Sequence, residues 1–89
     1  MKEIHLNGAK MLDKGATHAY LKQELNLPAH YGENLDALWD CLSTDFAGKK
    51  ITIDRTDLIT TQLGAYGASL LQLFRDVAAE NPHIEVHMN

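Results

Sequence analysis

The chain has 89 residues, of which 45% are hydrophobic and 22% charged, and its formal net charge is −4. These values exclude a disordered or fibrous chain, and the length predicts one domain spanning residues 1–89. No apolar run reaches the ~20 residues of a membrane-spanning helix, and residues 1–6 lack the apolar core of a secretion signal. We therefore expect a cytoplasmic protein with no membrane partner, in which the single cysteine, Cys41, is a small helix residue.

The first predicted elements are a strand and a helix. Ile4 and Leu6 alternate with polar residues before Asn7, which predicts a short strand closed by a turn. Asp13 is a suitable N-cap for a helix running to about Asn26.

A short connector, residues 29–33, precedes a second predicted helix. Asn34 is a good N-cap, and the helix should end at about Thr44. Its apolar residues follow the i, i+3, i+4, i+7 spacing of the buried side of a helix; they are Leu35, Leu38, Trp39 and Leu42.

The second half of the chain continues the alternation of strands and helices. Residues 49–54 alternate as a strand, and Thr56 or Asp57 is predicted to cap a short helix ending near Gly64. A longer helix is predicted from about Tyr66 to Glu80, before a last strand at residues 84–88.

The predicted order is therefore β, α, α, β, α, α, β. Because no hairpin-length turn joins any two strands, the pattern favours parallel pairing through helical crossovers. The fold class predicted is α/β.

Acidic residues are concentrated in one stretch. Between His30 and Lys49 there is no Lys or Arg, whereas four acids lie there, namely Glu33, Asp36, Asp40 and Asp45. Nucleic-acid binders concentrate the opposite charge, so direct binding to nucleic acid is disfavoured and a basic partner is expected.

Asp36 and Asp40 are spaced i, i+4, which places both carboxylates on one side of the second helix. Asp76 and Glu80 repeat this spacing on the long helix. The spacing alone also fits an ordinary solvated face. Trp39 fits the buried stripe, and a ring at its edge would also be able to contact a partner.

No catalytic or metal-binding pattern is found in the sequence. The five histidines show no metal-ligand spacing, and most are expected at the surface. There is no phosphate-binding loop and no nucleophile signature, and two aspartates on one helix would need further ligands to bind a divalent ion. We predict no catalytic residue, no metal site and no cofactor, and therefore no enzyme.

Residues 25–42 resemble the barstar family, whose best-known member inhibits the ribonuclease barnase. The match centres on YGENLDALWDCL at residues 31–42 and extends more weakly through Asn7-Gly8, the first helix, Gly67-Ala68 and residues 71–75. The resemblance implies a three-stranded parallel sheet covered by helices, with the connector and the second helix binding the nuclease.

By the same resemblance, the carboxylate of Asp40 would take the place of a substrate phosphate, and that of Asp36 would meet a further basic group. The other expected contact residues supply shape, backbone groups or further negative charge, and they are His30, Tyr31, Gly32, Asn34, Leu35, Trp39, Ser43, Asp76 and Glu80.

Two departures from the family pattern concern partner choice. His30 stands where the well-known member has an aromatic residue, and the aromatic residue expected after the helix is missing from Ser43-Thr44-Asp45. The function expected is inhibition of a basic ribonuclease, of the extracellular type or a toxin, in a one-to-one complex by a chain that is monomeric when free. The alternative is a non-inhibitory module that docks on another basic protein.

Overall fold

The computed structural model describes residues 2–89, which build a three-stranded parallel sheet in the order β1-β2-β3. The strands are β1 (Lys2–Asn7), β2 (Lys49–Asp54) and β3 (Ile84–Met88). In the register, Ile51 at the centre lies beside Ile4 on one side and Val86 on the other. The α/β class and the parallel pairing predicted from the sequence are confirmed.

Four helices complete the fold, and their order agrees with the predicted one. They are α1 (Lys14–Glu24), α2 (Leu35–Ser43), α3 (Thr56–Leu63) and α4 (Ala65–Glu80), with a 3₁₀ turn at Gly8–Lys10 after β1. No helix within residues 2–89 has the length and apolar character needed to cross a membrane.

The sheet is covered on one face only. Its inward side chains, such as Leu6 and Ile53, are fully buried and share one core with Leu38, Leu70 and Phe74 of the helices. The opposite face carries polar side chains that are exposed or half-exposed, and they include Glu3, His5, Lys50, Thr52, Glu85 and His87. The helices therefore all pack on the face that carries the buried side chains.

Two helix boundaries differ from the sequence prediction. Helix α1 ends at Glu24 rather than Asn26, because Asn26 adopts φ 52° and its amide bonds back to Gln23. Neither Thr56 nor Asp57 caps α3, so that prediction was wrong. Arg55, at φ 57°, turns the chain into α3 without a side-chain cap.

A single glycine makes the corner between α3 and α4. Gly64 has φ 60°, a conformation that L side chains rarely adopt, and it ends one helix and begins the next. Gly67 then lets α4 pass close to α3, since a Cβ there would lie 2.5 Å from the carbonyl oxygen of Ile59. The two helices therefore meet at one sharp corner.

Four of the five histidines are exposed, which confirms that most lie at the surface, whereas His18 is only 1% exposed. Its Nδ1 and Nε2 each lie 2.6 Å from a tyrosine hydroxyl, that of Tyr31 and that of Tyr66 respectively. Both ring nitrogens are thereby satisfied, which makes burial of this polar ring tolerable. The three side chains connect α1, the connector and α4.

Burial lowers the pKa of His18 below the ordinary value of 6.5, and the nearby negative charge of Glu33 opposes this only in part. The folded protein therefore takes up this proton at lower pH than the unfolded chain does. The neutral ring therefore contributes stability that is fully present above the pKa of His18 in the unfolded chain. This contribution is lost as the pH falls toward the pKa of His18 in the folded protein.

We expect the free energy of unfolding to decrease between about pH 7.5 and 5.5, with a slope from His18 of at most ~1.4 kcal/mol per pH unit, the limit for one proton. The His18→Gln variant should be less stable than the wild-type protein at neutral pH, and its free energy of unfolding should change less with pH. Urea unfolding of both proteins across this range measures the two slopes. If the free energy of unfolding depends equally on pH in both proteins, His18 is not the source of that dependence.

Candidate functional site

Helix α2 presents its acidic residues to solvent because its apolar residues occupy the opposite side. Leu38 and Leu42 are 0% and 1% exposed, whereas Asp36 and Asp40 are exposed. The helix is nine residues long and is capped by Asn34, whose side chain accepts a hydrogen bond from the amide of Ala37 at 2.8 Å. The two carboxylates therefore stand on a capped turn of helix anchored by the core.

Neither Asp36 nor Asp40 forms an ion pair with another side chain of residues 2–89. Asp36 lies in the first turn, where the positive end of the helix dipole favours a carboxylate. Asp40 lies one turn further in and lacks this stabilisation. Both groups are thus available to cationic groups of another molecule.

Asp45 behaves differently from the other acids of the stretch. Its carboxylate pairs with the ammonium of Lys49, both side chains are about 15% exposed, and it also accepts a hydrogen bond from the amide of Ala47 at 2.9 Å. Burial lowers the pKa of Lys49, which marks a partly desolvated pair. Asp45 is therefore committed to the loop after α2, a role that its position in sequence did not indicate.

A groove runs between α2 and α4, which pack against each other. Its volume is about 320 Å³, and its lining combines apolar side chains with two carboxylates from different helices; these residues are Leu35, Asp36, Trp39, Ser69, Gln72, Leu73 and Asp76. Trp39 is half-buried, packed against the core on one side and open to the groove on the other. The groove brings together Leu35, Asp36, Trp39 and Asp76 of the predicted contact residues.

A second, more polar cleft lies between the connector and α2. Asp40 and the exposed His30 line it together with Cys41, Thr44, residues 25–28 and the Asp45–Lys49 pair. Burial, followed by the charge of Asp40, raises the pKa of the Cys41 thiol, so this cysteine is no activated nucleophile. Asp40 therefore borders the cleft from α2, with His30 on the connector side.

The connector takes its shape from two residues. Tyr31 is only 6% exposed, its hydroxyl bonds to His18, and burial raises its pKa. Glu33 adopts φ 53°, a left-handed conformation that is unfavourable for a non-glycine residue, directly before the cap Asn34. The side chain of Tyr31 thus belongs to the core, and its effect on a partner would come through the path of the connector.

The remaining predicted contact residues lie at the ends of these surfaces. Gly32 and Asn34 are exposed, although the Asn34 side chain is occupied by its cap and by the Gly32 carbonyl. Ser43 is half-exposed in the last turn of α2, and Glu80 is exposed at the end of α4.

Phe46 was missed by the sequence reasoning, which sought an aromatic residue no further than Asp45. Its side chain is 70% exposed in the loop after α2, and its ring meets that of His83 edge to face, with centroids 5.6 Å apart. An exposed aromatic ring therefore does follow the helix. The sequence alone could have identified this residue, because Phe46 directly follows Asp45.

Within residues 2–89, no three His, Cys, Asp or Glu side chains converge on a point that would hold a metal ion. What the arrangement offers chemically is a set of fixed negative groups beside an indole and a phenyl ring. Such a surface suits recognition of cationic side chains through charge-assisted hydrogen bonds.

The chain matches the family described as Barstar (barnase inhibitor) over residues 1–89. It is also 33% identical, over 82 residues, to a protein of Bacillus subtilis (strain 168) named "Putative ribonuclease inhibitor YrdF". That alignment covers 90% of this chain and 89% of the relative. The two findings agree with each other and with the resemblance seen at residues 31–42.

The different surroundings of Asp40 and Asp45 predict opposite effects on stability. Asp40→Ala should leave the thermal midpoint unchanged or slightly raised, since it relieves a repulsion worth a few tenths of a kcal/mol. Asp45→Ala should lower the free energy of unfolding by ~1–2 kcal/mol, because it removes a charged hydrogen-bond acceptor from a half-buried loop. Thermal unfolding of both variants compares them, and strong destabilisation by Asp40→Ala would show that its carboxylate is structural.

Proposed function

Since the chain belongs to the barstar family, we propose that it inhibits a basic ribonuclease by placing the acidic side of α2 in the nuclease active site. The observation that carries this proposal is the pair of exposed carboxylates, Asp36 and Asp40, without ion pairs to other side chains of residues 2–89 and held on a capped helix inside the family motif. In this proposal the chain catalyses no reaction and acts in the cytoplasm as a monomer that forms a one-to-one complex.

The physical basis of inhibition is phosphate mimicry. A ribonuclease must hold positive groups and hydrogen-bond donors around the scissile phosphate, and a carboxylate satisfies the same groups. The resemblance to the barstar family assigns Asp40 to this position, and its carboxylate is exposed and borders the cleft beside His30. Occupation of the site by Asp40 excludes RNA, so inhibition is competitive.

The groove between α2 and α4 suits a second basic side chain of the nuclease. Trp39 and Leu73 give it an apolar lining, and Asp36 and Asp76 supply carboxylates from the two helices. A long cationic side chain would rest its stem or its planar head on the indole and direct its charge to the carboxylates. Glu80 extends the negative field along α4 and favours fast, salt-sensitive encounter.

Inhibition is tested by adding the purified protein to barnase, and to a panel of other small basic ribonucleases, while RNA cleavage is followed. We expect competitive inhibition of at least one of these enzymes. Asp40→Ala should weaken it by ~30-fold or more, as for a central interface residue, and Asp36→Ala by ~10-fold. Inhibition should also weaken as the salt concentration rises.

The matched control is Glu3→Gln, which removes the same charge from the opposite face of the sheet. Glu3 is exposed and its nearest cation, on Lys50, is 3.9 Å away, so its loss should change neither stability nor inhibition. If the wild-type protein inhibits none of the ribonucleases at micromolar concentration, the proposal is wrong and a non-inhibitory module that docks on another basic protein becomes the better explanation.

Phe46 is expected to contribute an apolar contact at the end of the acidic surface. Because its ring is 70% exposed, Phe46→Ala should leave the thermal midpoint almost unchanged, yet it should weaken the nuclease complex by ~5- to 30-fold. Leu12→Ala is the control, as Leu12 is also 64% exposed but lies in the turn before α1. Equal affinities of these two variants would remove Phe46 from the interface.

A further inference from the structure

The C-terminal end of α2 is held by a buried amide from another part of the chain. Asn81, which is 3% exposed, directs its Nδ2 to the carbonyl oxygens of Leu42 at 2.9 Å, Asp45 at 2.8 Å and Ser43 at 3.5 Å. Its Oδ1 accepts a hydrogen bond from the amide of His83 at 2.9 Å. Each polar atom of this side chain thus has a partner.

The backbone of the same residue ends α4 and leads into β3. The amide of Asn81 bonds to the Val77 carbonyl at 2.8 Å, and its own carbonyl accepts the amide of Ile84 at 3.0 Å. Asn81 therefore connects the last turn of α4, the last turn of α2 and the start of β3.

This connection joins the C-terminal ends of the two acidic helices. The final carbonyl groups of a helix lack partners within it and are usually satisfied by water or by a cap. Here the side-chain amide of Asn81 satisfies the Leu42 carbonyl and that of Asp45 in the following loop, and Thr44 returns its hydroxyl to the Asp40 carbonyl at 2.6 Å. The hydrogen bonds of Asn81 therefore hold in place both the end of α2 and the loop that carries Phe46.

We propose that Asn81 is a positioning residue for the inhibitory surface: its amide holds α2 and the loop at 44–47 against the end of α4, so that Asp40, Ser43 and Phe46 keep a fixed arrangement relative to Glu80. This inference rests on the proposed function, since it concerns the same surface. It assigns Asn81 no direct contact with a partner, because the side chain is buried.

A second side-chain amide, which is half-buried, makes it possible to distinguish a positioning role from a general loss of stability. Gln62 of α3 donates from Nε2 to the carbonyl oxygens of Gly8 and Met11, each at 2.9 Å, and so clamps the turn after β1 in the same chemical manner. No residue of the proposed interface is among its partners. Gln62→Ala is therefore the matched control for loss of an amide clamp.

The experiment compares Asn81→Asp and Asn81→Ser with Gln62→Ala and the wild-type protein. Asn81→Asp keeps an oxygen for the His83 amide but loses both donors, whereas Asn81→Ser is milder and retains one donor. Each variant is studied where circular dichroism shows it to be folded. Affinity for the ribonuclease inhibited by the wild-type protein is measured by surface plasmon resonance. The fluorescence of Trp39, the only tryptophan of the chain, reports the groove between α2 and α4 without any partner.

We expect both Asn81 variants to bind ~10-fold more weakly, mainly through faster dissociation, since a less ordered surface must be reorganised on binding. Their Trp39 emission should shift, and hydrogen exchange of amides in the loop at 44–47 should accelerate. In Asn81→Asp, lowering the pH should restore part of the exchange protection, because a neutral carboxyl regains one donor. Gln62→Ala should lose stability with unchanged affinity and emission.

Wild-type affinity and emission in the folded Asn81 variants would overturn the inference and leave Asn81 a purely structural residue. Equal losses of affinity in Gln62→Ala would overturn it too, because general destabilisation would then explain the effect. If the wild-type protein binds no ribonuclease, the proposed function fails. In that case, the Trp39 fluorescence and the hydrogen exchange of the free protein show whether Asn81 positions α2.

Discussion

The arrangement of the acidic surface depends on the burial of one side of a nine-residue helix. Leu38 and Leu42 lie fully in the core, and the helical period then requires Asp36 and Asp40 to face solvent. Rotating the helix to hide the carboxylates would expose both leucines, at a cost of roughly 1.5–3 kcal/mol for each. The hydrophobic effect therefore fixes the direction of the charges, although it acts on different residues.

Negative groups gathered in this way repel one another, and the surrounding structure keeps them in place. The Asn34 cap and the helix dipole favour the beginning of α2. At the connector, His18 and Tyr31 form a buried hydrogen bond of 2.6 Å, and at the other end Asn81 bonds to the last carbonyl groups. The His18–Tyr31 and Asn81–Leu42 hydrogen bonds are buried, so breaking either of them leaves an unsatisfied polar group.

The sequence was sufficient to predict the parallel sheet, the order of the helices and the outward direction of Asp36 and Asp40, because these follow from alternation, helical spacing and caps. It was insufficient where a side chain's role depends on residues distant along the chain. The partners of His18 lie 13 and 48 residues away, and Asn81 reaches a carbonyl 39 residues before it. Asp45 was counted in the acidic stretch between His30 and Lys49, yet its charge is paired with the ammonium of Lys49.

A rigid helix is better suited to phosphate mimicry than a flexible acidic tail would be. A tail carries the same charge, but binding must first order its backbone at ~1–2 kcal/mol per residue. The backbone of α2 is already ordered by folding, because its leucines are buried in the core. Binding would therefore not require this ordering entropy, and the attraction between carboxylates and cations would contribute more fully to affinity. Rigidity also gives selectivity, since a basic site with a different spacing of cations would leave Asp36 or Asp40 without a partner. In the proposed complex, the buried hydrogen bonds at both ends of α2 would thus affect the choice of nuclease as well as the affinity.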